Sequence, residues 1–151
     1  MTLDAHKNFA ISTVTTAPSP ASSGTSLSVY SGDGAAFPAA PFNAVVWPAG
    51  AQPRASNAEI VRVTVKSTDT FTITRSQEGT SARSIVVGDQ IAATITAKTL
   101  TDTEVIICTT GTRPTSNRWQ GQQIFDTSLG TAGLPAWWNG SNWINAAGTT
   151  V

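Results

Sequence analysis

The chain alternates apolar and polar residues with a repeat of two, which is typical of strands in a half-buried sheet. The clearest example is a predicted hairpin over residues 61–73 that turns at residues 67–70. No segment keeps a repeat of 3.6 residues over the length of a typical helix, and only residues 97–104 favour a brief helical turn. The pattern predicts an all-β fold. The alternation predicts these inward side chains in the hairpin: Val61, Val63, Val65, Phe71 and Ile73.

Changes in composition divide the chain into four predicted segments. Residues 1–24 are predicted to be an extended N-terminal arm, because their two prolines cannot donate hydrogen bonds to a strand ladder. Residues 25–104 are predicted to be a small antiparallel β-sandwich or barrel, and alternation alone does not distinguish the two. Residues 105–118 are predicted to be a connector. Residues 119–151 are predicted to form a Trp-rich β-meander.

Three of the five tryptophans lie around an Asn-Gly pair near the C terminus. The adjacent Trp137 and Trp138 must point to opposite faces of a strand, so one can anchor a core while the other stays accessible. The Asn-Gly pair predicts a type I′ turn that brings Trp143 back beside them. We interpret the rings as core and subunit contacts, or alternatively as a glycan platform with amide groups beside it. The candidate contact residues are Trp137, Trp138, Asn139, Asn142 and Trp143.

Charge and residue types argue against several functions. Charged residues make up 12% of the chain and the net charge is zero, so the sequence predicts no nucleic-acid partner. His6 is the only histidine, so one chain cannot supply a Ser-His-Asp relay or a multi-histidine metal site. Cys108 lies in an apolar β-branched run and is predicted to be a buried thiol. We therefore expect no enzymatic activity and no cofactor or metal.

The hydropathy pattern predicts no membrane insertion. No apolar run approaches the roughly 18 residues that a membrane-spanning helix needs. The beginning of the sequence also lacks the charged and then apolar pattern of a signal peptide. We therefore expect synthesis in the cytoplasm of the cell that makes the protein.

Two parts of the sequence resemble bacteriophage structural proteins. The C-terminal part is similar to the motif F-D-T-x-L-G…P-x-W-W-N-G-x-x-W, which recurs near the ends of phage fibre and other virion proteins. Residues 6–104 look like an attachment-proximal module of phage tail-fibre and minor structural proteins. In those relatives the small β modules are often joined to long fibres, lyase domains or collagen-like stalks, which we do not find in this sequence. The residues that carry the resemblance are Ser26–Val29, Phe37–Pro38, Phe42–Ala44, Ala58–Thr64, Thr74–Ala82, Gly88–Asp89, Phe125–Gly130 and Pro135–Trp143.

The resemblance implies a non-enzymatic virion structural protein, such as a short fibre, a decoration protein or an adaptor. It implies docking on capsid or tail proteins through the N-terminal arm, with Phe9, Ile11 and Val14 as candidate docking residues. It also implies association between copies of the chain, with a trimer as the expected state. The expected location is the virion, after synthesis in the host cytoplasm. The alternative is a glycan-binding module that contacts the host cell surface through exposed tryptophans.

Overall fold

The computed structural model describes residues 4–151 and is mostly β-structure, with 32% of the chain in strands and 11% in helices. The described residues divide into two compact units, a barrel unit at residues 4–100 and a C-terminal unit at residues 101–151. The predicted all-β fold is confirmed. None of the helices in the described part of the chain is both long and apolar enough to span a membrane.

The barrel unit is a closed six-stranded antiparallel barrel, which decides between the sandwich and the barrel. Its strands follow each other in the order β1-β2-β5-β4-β3-β6, and β6 pairs with β1 to close it. Short 3₁₀ turns lie at Asp33–Ala36 and Gln77–Gly79, and helix α1 (Ala97–Thr103) follows where a brief helical turn is predicted. The strands are β1 (Ile11–Thr16), β2 (Ser26–Val29), β3 (Phe42–Trp47), β4 (Glu59–Ser67), β5 (Thr70–Thr74) and β6 (Gln90–Ala92).

Alternate side chains of the strands fill the barrel interior. Three phenylalanine rings meet there, and the closest pair, Phe37 and Phe71, have centroids 5.0 Å apart. Val65 is an exception among the predicted inward residues, because the register between β4 and β5 shifts after Val63 and leaves Val65 exposed. The other inward predictions are confirmed, for Val61, Val63, Phe71 and Ile73.

Residues 11–16 are a barrel strand, so the predicted N-terminal arm was wrong over this range. Strand β1 pairs with both β2 and β6 and completes the barrel. Val14 is fully buried in the core and cannot dock on a particle. Pro18 and Pro20 lie after β1, in the connection to β2, where they supply no donor to the ladder. The first three residues of the predicted arm lie outside the described residues.

The C-terminal unit contains a four-stranded sheet with the order β10-β9-β8-β7. Strands β8, β9 and β10 form the predicted antiparallel meander, whereas β7 pairs with β8 in parallel. The prediction that residues 105–118 only connect the two parts was therefore wrong, because their apolar run supplies the edge strand. A 3₁₀ turn follows at Thr110–Thr112. The strands are β7 (Ile106–Cys108), β8 (Gln123–Asp126), β9 (Leu134–Trp138) and β10 (Trp143–Ile144).

A buried arginine–glutamate pair joins the loops at one end of the barrel. Glu59 is fully buried and accepts hydrogen bonds from Arg75 at 2.8 and 2.7 Å. Its carboxylate also accepts the backbone N–H groups of Ser76 at 2.8 Å and Arg83 at 3.0 Å. The Arg75 side chain is only 9% exposed, because the chain after β5 folds over Glu59.

A second buried pair stabilises the C-terminal unit. Asp126 in β8 is fully buried and accepts a 2.6 Å hydrogen bond from Arg113 Nε. The Thr110 hydroxyl and the Ser128 N–H donate to the same carboxylate at 3.0 and 2.8 Å. Arg113 also donates to the carbonyl of Val151, so the pair connects the last residue to the sheet.

Both buried carboxylates have a lowered pKa. Desolvation is the largest influence on Glu59 and raises its pKa, but the hydrogen bonds from Arg75, Arg83 and Ser76 and the Arg75 charge together outweigh it. For Asp126, desolvation again raises the pKa, and the hydrogen bonds from Ser128, Arg113 and Thr110 and the Arg113 charge hold it below its ordinary value. Both groups are therefore more acidic in the folded protein than in the unfolded chain.

Acid is expected to destabilise both units. A lowered folded-state pKa contributes stability that is present above the unfolded pKa, about 4, and is lost as the pH falls through the folded pKa. The urea midpoint followed by tryptophan fluorescence should therefore fall as the pH is lowered from about 5 to about 2. Four of the five tryptophans lie in the C-terminal unit, so this signal mainly reports that unit.

The variant Asp126→Asn isolates the contribution of the C-terminal pair. It should lower the urea midpoint at pH 7, because Arg113 then lacks a charged partner, and it should weaken the dependence on pH. A parent midpoint that stays constant down to pH 3 would contradict this assignment.

Candidate functional site

The C-terminal sheet has one buried face and one open face. Pairing registers show which side chains share a face, because successive residues of a strand point to opposite sides. The inner face packs into the core of this unit. Its residues are Ile106, Cys108, Ile124, Ala136, Trp138 and Trp143.

Trp138 and Trp143 are core residues of the C-terminal unit. They are 9% and 6% exposed, and their rings meet edge to face with centroids 5.4 Å apart. The guanidinium of Arg118 lies 3.7 Å from the centroid of the Trp138 ring and covers it. The prediction that these rings meet is confirmed, but neither is open to a glycan or a second subunit. The Nε1 of Trp143 is buried without a hydrogen-bond partner among the described residues.

The turn after Trp138 is stabilised by an asparagine side chain. The Oδ1 of Asn139 accepts the N–H groups of Ser141 at 2.9 Å and Asn142 at 2.7 Å. Within this turn only Gly140 has a positive φ, at 102°, whereas a type I′ turn needs two such residues. The predicted turn type was therefore wrong. Asn139 and Asn142 are exposed, but the Asn139 oxygen already serves the turn.

We define the outer face of the C-terminal sheet as Ile107, Phe125, Pro135, Trp137 and Ile144. Phe125 lies opposite both Pro135 and Ile107, and Trp137 lies opposite Ile144, so the five side chains form two neighbouring rows. Ile107 is 75% exposed, and the other four are half-buried. The exposed Gln123 lies opposite Trp137 on the same side of the sheet and is the polar neighbour of these apolar side chains. The five apolar side chains are the candidate functional site. Of the predicted contact residues, Trp137 alone belongs to it.

A glycine fixes the position of Phe125 on the outer face. A Cβ at Gly133 would lie 2.6 Å from Cε1 of the Phe125 ring, and the φ of Gly133 is +77°. Both the close approach and the left-handed backbone require glycine at this position. The Phe125 ring is therefore held against the turn between β8 and β9.

An open pocket of about 390 Å³ adjoins Trp137. Its other lining residues are Ile144 and the loop residues Asn145, Ala146 and Gly148. The Oδ1 of Asn145 accepts the N–H groups of Ala147 at 3.0 Å and Thr149 at 2.9 Å, which gives this loop a fixed shape. An aromatic wall beside an amide is an arrangement that can hold a small polar ligand.

The barrel unit exposes two of the predicted docking residues. Ile11 lies on the outside of β1 and is half exposed, and Phe9 before it is 92% exposed. The φ of Phe9 is 59°, a left-handed conformation that costs a bulky residue about 1–3 kcal/mol. An exposed phenyl ring also gives up the roughly 1.5–3 kcal/mol that its burial would contribute. Phe9 therefore combines strain with exposure.

The motif residues of the barrel have structural roles. Glu78 accepts hydrogen bonds from Asn43 at 2.6 Å and from the Lys98 N–H at 2.9 Å. Thr80 accepts the N–H of Ile60 at 3.0 Å, and Asp89 pairs with Arg83 at 2.6 Å. These side chains fasten the loops between barrel strands. The motif residues of this unit thus serve the fold.

Other chemistry in the described residues is sparse. No group of three or more His, Cys, Asp or Glu side chains within residues 4–151 could hold a metal ion. Burial raises the pKa of the Cys108 thiol, and the Asp126 charge adds to this, which confirms the predicted buried thiol. His6 is exposed. Comparison of the sequence with protein-family models and with curated proteins found no match.

The different roles of the adjacent tryptophans can be measured by mutation. Trp138→Ala should destabilise the C-terminal unit by about 3–5 kcal/mol, whereas Trp137→Ala should cost about 1 kcal/mol or less. Trp143→Phe should cost much less than Trp143→Ala, because the ring remains and an unpaired buried N–H is removed. Urea unfolding of each variant gives these differences. Equal losses for Trp137→Ala and Trp138→Ala would contradict the assignment of the two faces.

Proposed function

We propose that the protein is a non-enzymatic bacteriophage virion structural protein that associates with copies of itself. A short fibre, a decoration protein and an adaptor are the forms that fit this role. The observation that carries the proposal is the apolar outer face of the C-terminal sheet. The resemblance of the sequence to phage fibre and minor structural proteins supplies the biological setting.

The outer face supports self-association on physical grounds. A sheet with an apolar face is stabilised when another layer covers that face, and exposed apolar patches commonly mark interaction sites. A unit of about 50 residues also has little interior of its own, so contact with other copies adds core that it lacks. Three such sheets around a threefold axis would each cover the outer faces of the other two. A trimer is therefore the state that we propose.

Docking on the particle is assigned to the surface of the barrel unit. Phe9 and Ile11 remain accessible there, whereas Val14 does not. A rigid barrel that presents apolar side chains suits attachment to a capsid or tail protein. The proposed partners are thus other copies of the chain and capsid or tail proteins, and the proposed location is the virion.

The alternative function is a glycan-binding module on the particle surface. The open pocket beside Trp137 favours it, because the indole can stack on a sugar ring while the Asn145 amide donates a hydrogen bond. The site is smaller than the sequence suggested, since Trp138 and Trp143 are buried. If this alternative is correct, host polysaccharide should change the fluorescence of the parent protein and not that of Trp137→Ser.

Self-association can be tested with a paired substitution on the outer face. Sedimentation velocity over a dilution series should show a trimer for the parent. Trp137→Ser combined with Ile107→Ser should weaken association by about tenfold or more, because polar groups replace the centre and edge of the apolar surface. The exposed Val87→Ser, in the barrel unit, is a matched control and should leave association unchanged. A parent that stays monomeric at all concentrations would contradict the proposal.

The virion location can be tested on purified particles of the phage whose genome encodes this chain. An antibody against the protein, followed by gold labelling and electron microscopy, should mark regular positions on the head, neck or tail. Particles that carry no label, and that contain no peptide of the chain by mass spectrometry, would contradict the location.

A further inference from the structure

The barrel unit gains no packing from Phe9 that would offset its strained backbone. Its backbone is held in the left-handed region by ordered neighbours, since the Ile11 N–H donates to its carbonyl and the Ala93 N–H donates to the Ala10 carbonyl, each at 2.9 Å. The ring is nevertheless 92% exposed. A strained and rigid backbone that presents an aromatic ring to solvent is the form of an anchor for a partner.

An apolar pocket of about 250 Å³ lies elsewhere on the same barrel unit. Its apolar walls come from β3, β4 and the loop between them, through Val45, Pro53, Ala55, Ala58 and Ile60, and Thr80 after β5 also lines it. The loop is ordered by Asn57, whose Oδ1 accepts the Arg54 N–H at 2.8 Å. A cavity of about 150 Å³ can hold benzene, so this pocket has room for a phenyl ring.

Arg54 is one of the residues that line the same pocket. Its guanidinium lacks a partner in the described part of the chain. Within residues 4–151 it forms no hydrogen bond or ion pair, whereas Arg62, Arg75, Arg83 and Arg113 each pair with a carboxylate. A guanidinium is attracted to the negative face of an aromatic ring. The pocket therefore offers alkyl walls and a cation, which together complement a phenyl ring.

The ring and the pocket lie on different strands of one barrel. The register places Ile11, Ala92, Val45 and Ile60 side by side on the outside of β1, β6, β3 and β4. Three strand spacings, about 14 Å, separate the first from the last. Because the Phe9 ring is exposed, it does not occupy the pocket of its own chain. A contact between ring and pocket must therefore join two copies.

We infer that Phe9 of one copy inserts into the Val45–Ile60 pocket of a second copy, where the Arg54 guanidinium lies against the ring. This contact is heterologous, because each copy supplies one phenyl ring and one pocket. Contacts of this kind build cyclic oligomers or filaments. Of the candidate docking residues, Ile11 is then the one left for contact with a capsid or tail protein. The inference rests on the proposed self-association and assigns to it a contact separate from the outer face of the C-terminal sheet.

Substitutions at the two ends of the contact test this inference in the full-length chain. Phe9→Asn should keep or raise the thermal midpoint of the dilute protein, because asparagine tolerates the left-handed backbone, and it should weaken self-association by about tenfold. Arg54→Gln should also weaken association, and the double variant should lose less than the product of the two effects. Tyr30→Asn, which replaces another exposed aromatic ring, is the control and should leave association unchanged.

Photo-crosslinking identifies the surface that the ring contacts. With p-benzoylphenylalanine in place of Phe9, crosslinks between isotopically labelled and unlabelled chains should fall within residues 45–60, and the same group at Tyr30 should give none there. Two results would overturn this inference while leaving the proposed self-association intact. One is crosslinks outside residues 45–60, and the other is a parent that associates together with a Phe9→Asn variant that associates equally well. A parent that never associates would overturn the proposed self-association as well.

Discussion

The buried carboxylate of Glu59 is the interaction on which the barrel unit depends. It lies at the beginning of β4 and binds Arg75 after β5 together with backbone groups of Ser76 and Arg83. Arg75 in turn donates to the carbonyls of Ala21 and Gly24 in the connection between β1 and β2. The beginning of β4 and two connections, β1–β2 and β5–β6, thus converge on one ion pair, which is costly to desolvate and stabilising only while every partner is present. The pair fixes the loops and with them the alignment of the strands that close the barrel.

The residues that stabilise the fold differ from those proposed to contact partners. In the barrel, the motif residues Glu59, Arg75 and Asp89 form the buried network or hold the loop beside it. Contacts with partners must then involve side chains that the network leaves free. The outer face of the C-terminal sheet, with Trp137 at its centre, and the exposed Phe9 are such side chains. Both are apolar surfaces on rigid supports, which suits assembly into a larger particle better than capture of a charged partner.

The sequence predicted those features that depend on local alternation. The inward valines of β4 and the opposite directions of Trp137 and Trp138 follow from the repeat of two, but which tryptophan is buried depends on pairing with distant strands. Strand β1 was missed because it is ordered by β2 and β6 on its two sides and not by its own residues. The role of Glu59 had a signal in the sequence, since it is in phase with Val61 and Val63 and so predicts an inward carboxylate that needs a partner. That Arg75 is this partner follows only from the fold of the loop.

The most direct measurement of the central claim is a double-mutant cycle between Glu59 and Arg75, with urea unfolding followed by far-UV circular dichroism. Removing one partner, as in Arg75→Met, leaves a buried charge and should cost about 3–5 kcal/mol. Adding Glu59→Gln to that variant removes the charge and should restore a substantial part of the loss. Additive losses, or a loss for Arg75→Met of less than about 1 kcal/mol, would show that the barrel does not depend on this pair.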